Sequence, residues 1–105
     1  MPLSVRRLPR AKADLLDLWL HIAADSVAAA DKLADHIEQA VLMLGQYPES
    51  GPERNNMGTG IRMFPVENFV IYYRVEPQFV AIIRILHSSR DVTPETIAEN
   101  RPNPP

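Results

Sequence analysis

Between Gly60 and His87, apolar and aromatic residues come in three bursts: Gly60-Val66, Phe69-Val75 and Phe79-His87. Only Glu67-Asn68 and Glu76-Pro77-Gln78 separate them. Val, Ile, Phe and Tyr dominate each burst, which is strand composition. Connections this short join antiparallel neighbours, so the block reads as a three-strand meander. Pairing Val66 with Phe69 and Val75 with Phe79 sorts the side chains onto two faces. One face, expected to be the core, carries Phe64, Val66, Phe69, Ile71, Val75, Phe79, Ala81, Ile83 and Ile85, with Arg62, Tyr73 and His87 as polar members. The other carries Ile61, Met63, Val70, Tyr72, Arg74, Val80, Ile82, Arg84 and Leu86. It is too apolar to face water, so something else is expected to cover it. A slip of one residue would exchange the two faces.

Upstream, the spacing changes to that of helices. Leu3 to Leu8 alternates briefly and Pro9 stops it, a short first strand whose neighbour the pattern leaves open. From Arg10 to Ala24, the residues Arg10, Asp14, Asp17, His21 and Asp25 form one narrow polar stripe, and nearly everything else is apolar. A helix so greasy is covered on more than one side: it lies between the sheet and a second helix, or a partner covers Leu16, Trp19 or Leu20. His21 is expected to pair with Asp17, one turn before it. Asp25-Ser26 offers N-cap candidates for a second helix, Val27 to Leu44, with Gly45 as its C-cap and Pro48 barring continuation. Its stripe of Ala30, Leu33, Ala34, Ile37, Ala40, Val41 and Leu44 leaves Leu42 and Met43 outside, exposed or covered by a partner. The short link makes the two helices an antiparallel hairpin. Tyr47 to Thr59 is a long aperiodic loop, and Thr93-Pro94-Glu95 opens a short last helix. The whole is α+β, with helices on one face of an antiparallel sheet, in one domain over residues 1–99 followed by a Pro-rich tail, 100–105.

Composition narrows the chemistry. The 105 residues contain no cysteine, which excludes a thiolate metal site and fits a reducing compartment. No histidine pair has ligand spacing, so neither a metal nor a cofactor is expected. No segment is apolar enough to span a bilayer, no signal peptide opens the chain, and a cytoplasmic home is expected. The net charge of -2 argues against direct DNA binding. That charge is uneven: from Arg54 to Arg90 there are five arginines and, as acids, only Glu67 and Glu76. The sheet is the basic side and the helices are the acidic side.

Four motifs in order then point to a family: Ala11-x-x-Asp14-Leu15-x-x-Leu18-Trp19-x-x-Ile22-Ala23, Leu44-x-x-Tyr47-Pro48-x-x-Gly51, Tyr72-Tyr73-Arg74-Val75, and Arg84-Ile85-Leu86-His87-x-x-Arg90-Asp91. Over residues 3–98 the chain resembles the ParE branch of the RelE/ParE toxins of bacterial type II toxin-antitoxin pairs. The resemblance implies a toxin without catalytic residues that inhibits DNA gyrase. It also implies a cognate ParD-like antitoxin whose C-terminal segment wraps the helix hairpin and sheet in a hetero-oligomer. Candidate contacts for target or antitoxin are Arg62, Tyr72, Arg74, Arg84 and Arg90 on the sheet side, with Leu16, Trp19 and Leu20 on the first helix. The alternative is a RelE-like, ribosome-dependent mRNA endonuclease. RelE-like nucleases carry an arginine where this chain has Val70 and a tyrosine about where it has Thr96; Arg90 and His87 would then be the catalytic pair.

Overall fold

The computed structural model describes residues 2–98. Two helices, α1 (Pro9–Ala23) and α2 (Val27–Gln46), follow strand β1 (Ser4–Arg7) and pack on one face of a four-stranded sheet completed by β2 (Ile61–Val66), β3 (Phe69–Val75) and β4 (Phe79–His87). A short helix, α3 (Pro94–Ala98), follows. Residue 99 of the expected domain and the expected Pro-rich tail, 100–105, lie outside the described residues. The strand order is β1-β4-β3-β2. The expected meander is present, but β1 joins it parallel to β4, so the sheet is mixed. That arrangement follows from the crossover: the helix hairpin returns the chain to the far edge, and the meander brings β4 back beside β1.

Helix boundaries follow local chemistry. Pro9, expected only to stop the first strand, is the first residue of α1, where its fixed φ suits a helix and its missing N–H costs nothing. Ser26 caps α2, its hydroxyl accepting from the Ala29 N–H at 3.1 Å. Gly45 does not end that helix; it lies in the last turn and Tyr47 is the C-cap. The reason is proximity. A Cβ on Gly45 would sit 2.9 Å from the Leu3 carbonyl oxygen, and the Leu3 N–H donates to the Gly45 carbonyl at 2.8 Å. Glycine here lets the end of α2 lie directly against the approach to β1.

The register places β2 and β3 as expected, with Val66 opposite Phe69. In β4 the expected pairing of Val75 with Phe79 fails: Val75 faces Val80, and a bulge restores the expected faces only beyond Ile83. Tyr72 faces Arg84 and Tyr73 faces Ile82, so Ile83 is an extra, bulged residue. N-terminal to the bulge the faces exchange. Val80 and Ile82 join Ile71, Tyr73, Ile85, Leu33, Ile37, Val41 and Leu44 in the core beneath the helices, and Ile83 joins the opposite cluster. Phe79, also expected in that core, instead lies under the Arg6 guanidinium, 4.3 Å from the ring centroid. Ala81, paired with Arg74, leaves the helix-side core for the same reason.

The second face is covered, as its apolar character requires, but by the chain itself. Ile61, Tyr72, Ile83, Leu86 and Ile97 form a buried cluster there, joined by Leu8, Met57, Met63, Val70 and Val92. The cover over the strand residues comes from Ile97 of α3 and Val92 just before it, from Met57 in the turn of 3₁₀-helix at Asn55–Met57, and from Leu8 at the start of α1.

The long loop is equally well tied. The Tyr73 hydroxyl donates to the Pro48 carbonyl and accepts from the Gly51 N–H, both at 2.8 Å. A Cβ on Gly51 would lie 2.3 Å from the Met63 oxygen, so no larger residue fits. The loop backbone pairs with β2, Arg54 N–H to Ile61 O at 2.6 Å and Met63 N–H to Pro52 O at 3.2 Å. Tyr73 is wholly buried, and this burial pushes its phenol pKa above the ordinary 10.0, while the Gly51 hydrogen bond and Arg62 pull the other way.

Tyr73→Phe leaves the Gly51 N–H without its partner and should lower unfolding free energy by about 1–3 kcal/mol in urea denaturation. Because the folded phenol titrates above the unfolded one, its stabilising contribution is complete below pH 10.0 and declines as pH rises past that value. A wild-type stability curve flat through that range would contradict this account.

Candidate protein-docking surface

The outer side of the helix layer is where apolar surface remains uncovered. Helix α1 has to bury Ala11 and Leu18 against α2 and β4, which turns Leu16 and Leu20 outward at 58% and 54% exposure. Between the helices runs a groove of about 330 Å³ with Ala11, Leu15, Leu16 and Trp19 on one wall and Ala34, Ile37 and Val41 on the other. Ile85 of β4 contributes to its lining, and Arg7, Lys12 and Glu38 supply its only charged groups. Arg7 and Glu38 form an ion pair across its end, from β1 to α2. Trp19, half-buried, spans the hairpin, its Nε1–H donating to Asp31 at 2.8 Å. An apolar trough with a few charges at its margin suits the apolar face of a peptide helix. Of the three expected α1 contacts, Leu16 and Trp19 line this groove, and Leu20 stands one helical turn beyond Leu16.

The arginines expected to form a single sticky sheet surface do not. Arg84 is 2% exposed. Its Nε and Nη2 grip both oxygens of Asp14 at 2.7 and 2.9 Å, and Nη1 donates to the Thr96 carbonyl at 3.0 Å. It is therefore a core residue that joins α1, β4 and α3, and it offers nothing to a partner. Tyr72, 5% exposed, is likewise interior. Arg62 holds the long loop: it donates to the Gly51 carbonyl at 2.7 Å and pairs with Glu53 at 3.2 Å. Arg74 pairs with Glu76 at 2.8 Å on the surface, the local pairing that a short hairpin makes available. Of the five arginines from Arg54 to Arg90, Arg54, Arg74 and Arg90 are exposed.

At the far end of β4, His87 lies on the surface rather than in the core, since the strand ends there and the helices do not reach over it. Its ring meets Phe69 edge-on at 5.2 Å, and its Nδ1 accepts from the Ser89 N–H at 3.0 Å. His87 and Arg90 do share one hollow, lined also by Asp17 and His21. Asp17 and His21 are not joined by a hydrogen bond or ion pair among the described residues, contrary to expectation. The described residues hold no group of three or more His, Cys, Asp or Glu side chains able to bind a metal.

Sequence reasoning missed Asp14 as a structural partner and Ile37, Val41, Arg7, Lys12 and Glu38 as groove residues. Asp14 sits in the polar stripe of α1, where a solvated acid has the same periodicity as a buried one. The groove residues were legible only as separate helical stripes, because helix crossing geometry decides what lies between them.

A small α+β domain that buries Arg84 in its interior and leaves an apolar trough open between its helices presents a surface suited to another protein. The profile described as "ParE toxin of type II toxin-antitoxin system, parDE" matches residues 5–92. The chain belongs to that family. It is 35% identical over 86 residues to "Toxin RelE3" of Caulobacter vibrioides, covering 81% of this chain and 94% of that one. With "Toxin RelE2" of the same organism it shares 36% over 81 residues, 77% of this chain and 90% of the relative. Among solved structures, a chain of the "Chromosomal ParDE TA system from P. aeruginosa" superimposes with a TM-score of 0.70 at 26% identity, covering 81% of this chain and 95% of that chain. A chain of the RelBE2 toxin-antitoxin complex from Mycobacterium tuberculosis shares the fold, with a TM-score of 0.57 at 23% identity over 83% of this chain and 99% of that one.

Asp14→Asn should be among the most destabilising single-atom changes in the chain, by about 3–5 kcal/mol, because it leaves the buried guanidinium without its counter-charge. Thermal unfolding would read it. Arg74→Gln, which breaks only an exposed pair, should change stability by less than about 1 kcal/mol.

Proposed function

We propose that this toxin acts by docking on DNA gyrase, without chemistry of its own, and that a ParD-like antitoxin neutralises it by laying an amphipathic helix in the α1–α2 groove. The observation that carries the antitoxin half is the groove itself, apolar along its length and flanked by the exposed Leu16 and Leu20. Family membership and the ParDE neighbour support the pairing with an antitoxin. Gyrase as target rests on the ParE resemblance. The absence of chemistry is supported by the positions at which RelE-like nucleases carry functional side chains. Val70 packs into the second cluster, and the Thr96 hydroxyl is occupied by Thr93 at 3.1 Å.

A nuclease reading has two observations in its favour: His87 and Arg90 line the same hollow, and the relatives carry RelE names. Supercoiling by purified gyrase in the presence of the toxin separates the two. Accumulation of cleaved DNA with intact messenger RNA supports docking on gyrase; unaffected gyrase together with rapid message cleavage in cells rejects it. Leu16→Glu should weaken antitoxin binding at least about tenfold while changing stability by no more than about 0.5 kcal/mol, since the side chain is already exposed. Calorimetric titration with the antitoxin would measure the loss.

A further inference from the structure

The groove between α1 and α2 is apolar along its length but unequal at its two ends. Lys12 lines it near β1, and Trp19 marks the other end, about 10 Å further along α1 at about 1.5 Å per residue. Near β1, Arg7 and Glu38 cancel each other in their ion pair. Lys12 is exposed and has no hydrogen-bond or ion-pair partner among the described residues. That end therefore carries one free positive charge.

Toward the turn between the helices the sign reverses. Asp31, Asp35 and Glu38 follow one another at helical spacing along one edge of α2, and Glu38 belongs to the groove lining. Asp31 accepts from the Trp19 Nε1–H, a neutral donor, so its charge is not cancelled. Asp35 is exposed and has no ion pair among the described residues. Lys32 is the only lysine of α2, and its place one residue after Asp31 turns it about 100° around the helix, away from that edge. The two helices run antiparallel, so their macrodipoles oppose each other and the side chains set the difference between the ends.

Given that a partner helix occupies this groove, as proposed above, we infer that the groove selects a helix whose charge is divided along its length, carboxylates over Lys12 and cations over Asp31 and Asp35. Exposed charges of this kind set register and direction more than total affinity. They act chiefly by penalising the wrong arrangement, in which a partner cation meets Lys12 or a partner acid meets the edge of α2. Acids in the first turns and cations in the last also suit the partner helix's own dipole. The partner therefore lies parallel to α1, with its N-terminus at the β1 end.

The test uses the full chain and, as probes, two synthetic amphipathic peptides of about 14 residues, whose helices of about 21 Å reach both ends of the groove. Both carry leucine at helical spacing and equal numbers of glutamate and lysine. In one the glutamates fill the first half and the lysines the second; in the other the two are interspersed. Trp19 is the only tryptophan of the chain, so its fluorescence reads both occupancy and direction. The divided peptide should bind about tenfold tighter than the interspersed one, and about 1 M salt should erase the difference. A quencher on its C-terminus should dim Trp19, and one on its N-terminus should not. Lys12→Glu should remove the preference without moving the melting temperature, since Lys12 is exposed, and Asp35→Lys should do the same from the other end. Equal binding of the two peptides, or stronger quenching from the N-terminus, would overturn the charge selection and leave the groove as a docking site. A Trp19 signal that responds to neither peptide would overturn both. A signal that changes with toxin concentration alone and resists both peptides would give the groove to a second copy of the chain, and so overturn the inference as well.

Discussion

One buried ion pair makes the rest of this architecture possible. Strand β1 is four residues long and covers β4 only from Phe79 to Ile82, so the remaining edge of β4 would otherwise expose backbone donors inside the fold. Asp14 fills that place. Its carboxylate accepts from the Ile85 N–H while clasping the Arg84 guanidinium, and Arg84 in turn donates to the Thr96 carbonyl in α3. A single acid on α1 thus stands in for the missing strand, fixes the angle of the helix hairpin to the sheet, and anchors the short helix over the second face. The cost of bringing both charges out of water is met because nearly every donor and acceptor in the cluster is satisfied; among the described residues no buried side-chain nitrogen or oxygen lacks a partner.

Periodicity and turn chemistry were enough to delimit β2, β3, β4 and the helix hairpin closely, because alternation and helical spacing are local properties. The misreadings share a different cause. Ile83 is bulged for reasons of register between strands, and a bulge leaves no trace in a run of uniformly apolar residues, so Val80, Ile82 and Ile83 were assigned to the wrong sides. Arg84 read as a surface cation because its partner lies 70 positions away in the chain. Tyr72 read as a contact residue because nothing local reveals that α3 folds over it. The candidate site divides along the same line: Leu16, Trp19 and Leu20 on one helix stood out, whereas the opposite wall of the groove depended on how two helices cross.

The two faces of the sheet serve different ends. Under the helices, Ile71, Tyr73, Val80 and Ile82 form the main core; on the other side, a thinner cover of Leu8, Met57, Val92 and Ile97 seals what the meander alone would leave wet. The chain closes its sheet on both sides and leaves its uncovered apolar surface on the outside of the helices. The arginines sort accordingly, with Arg62 and Arg84 holding structure together and Arg90 left at the open end.

Strand β2 has a consequence of its own. Its outer side is already engaged by Pro52 and Arg54 of the long loop, and Pro65 has no N–H to offer there. An additional strand therefore finds no continuous row of amides on that border, which is the route by which small sheet proteins polymerise. The sheet thus cannot grow from β2, and the open surface the molecule turns toward another chain is the groove between its helices.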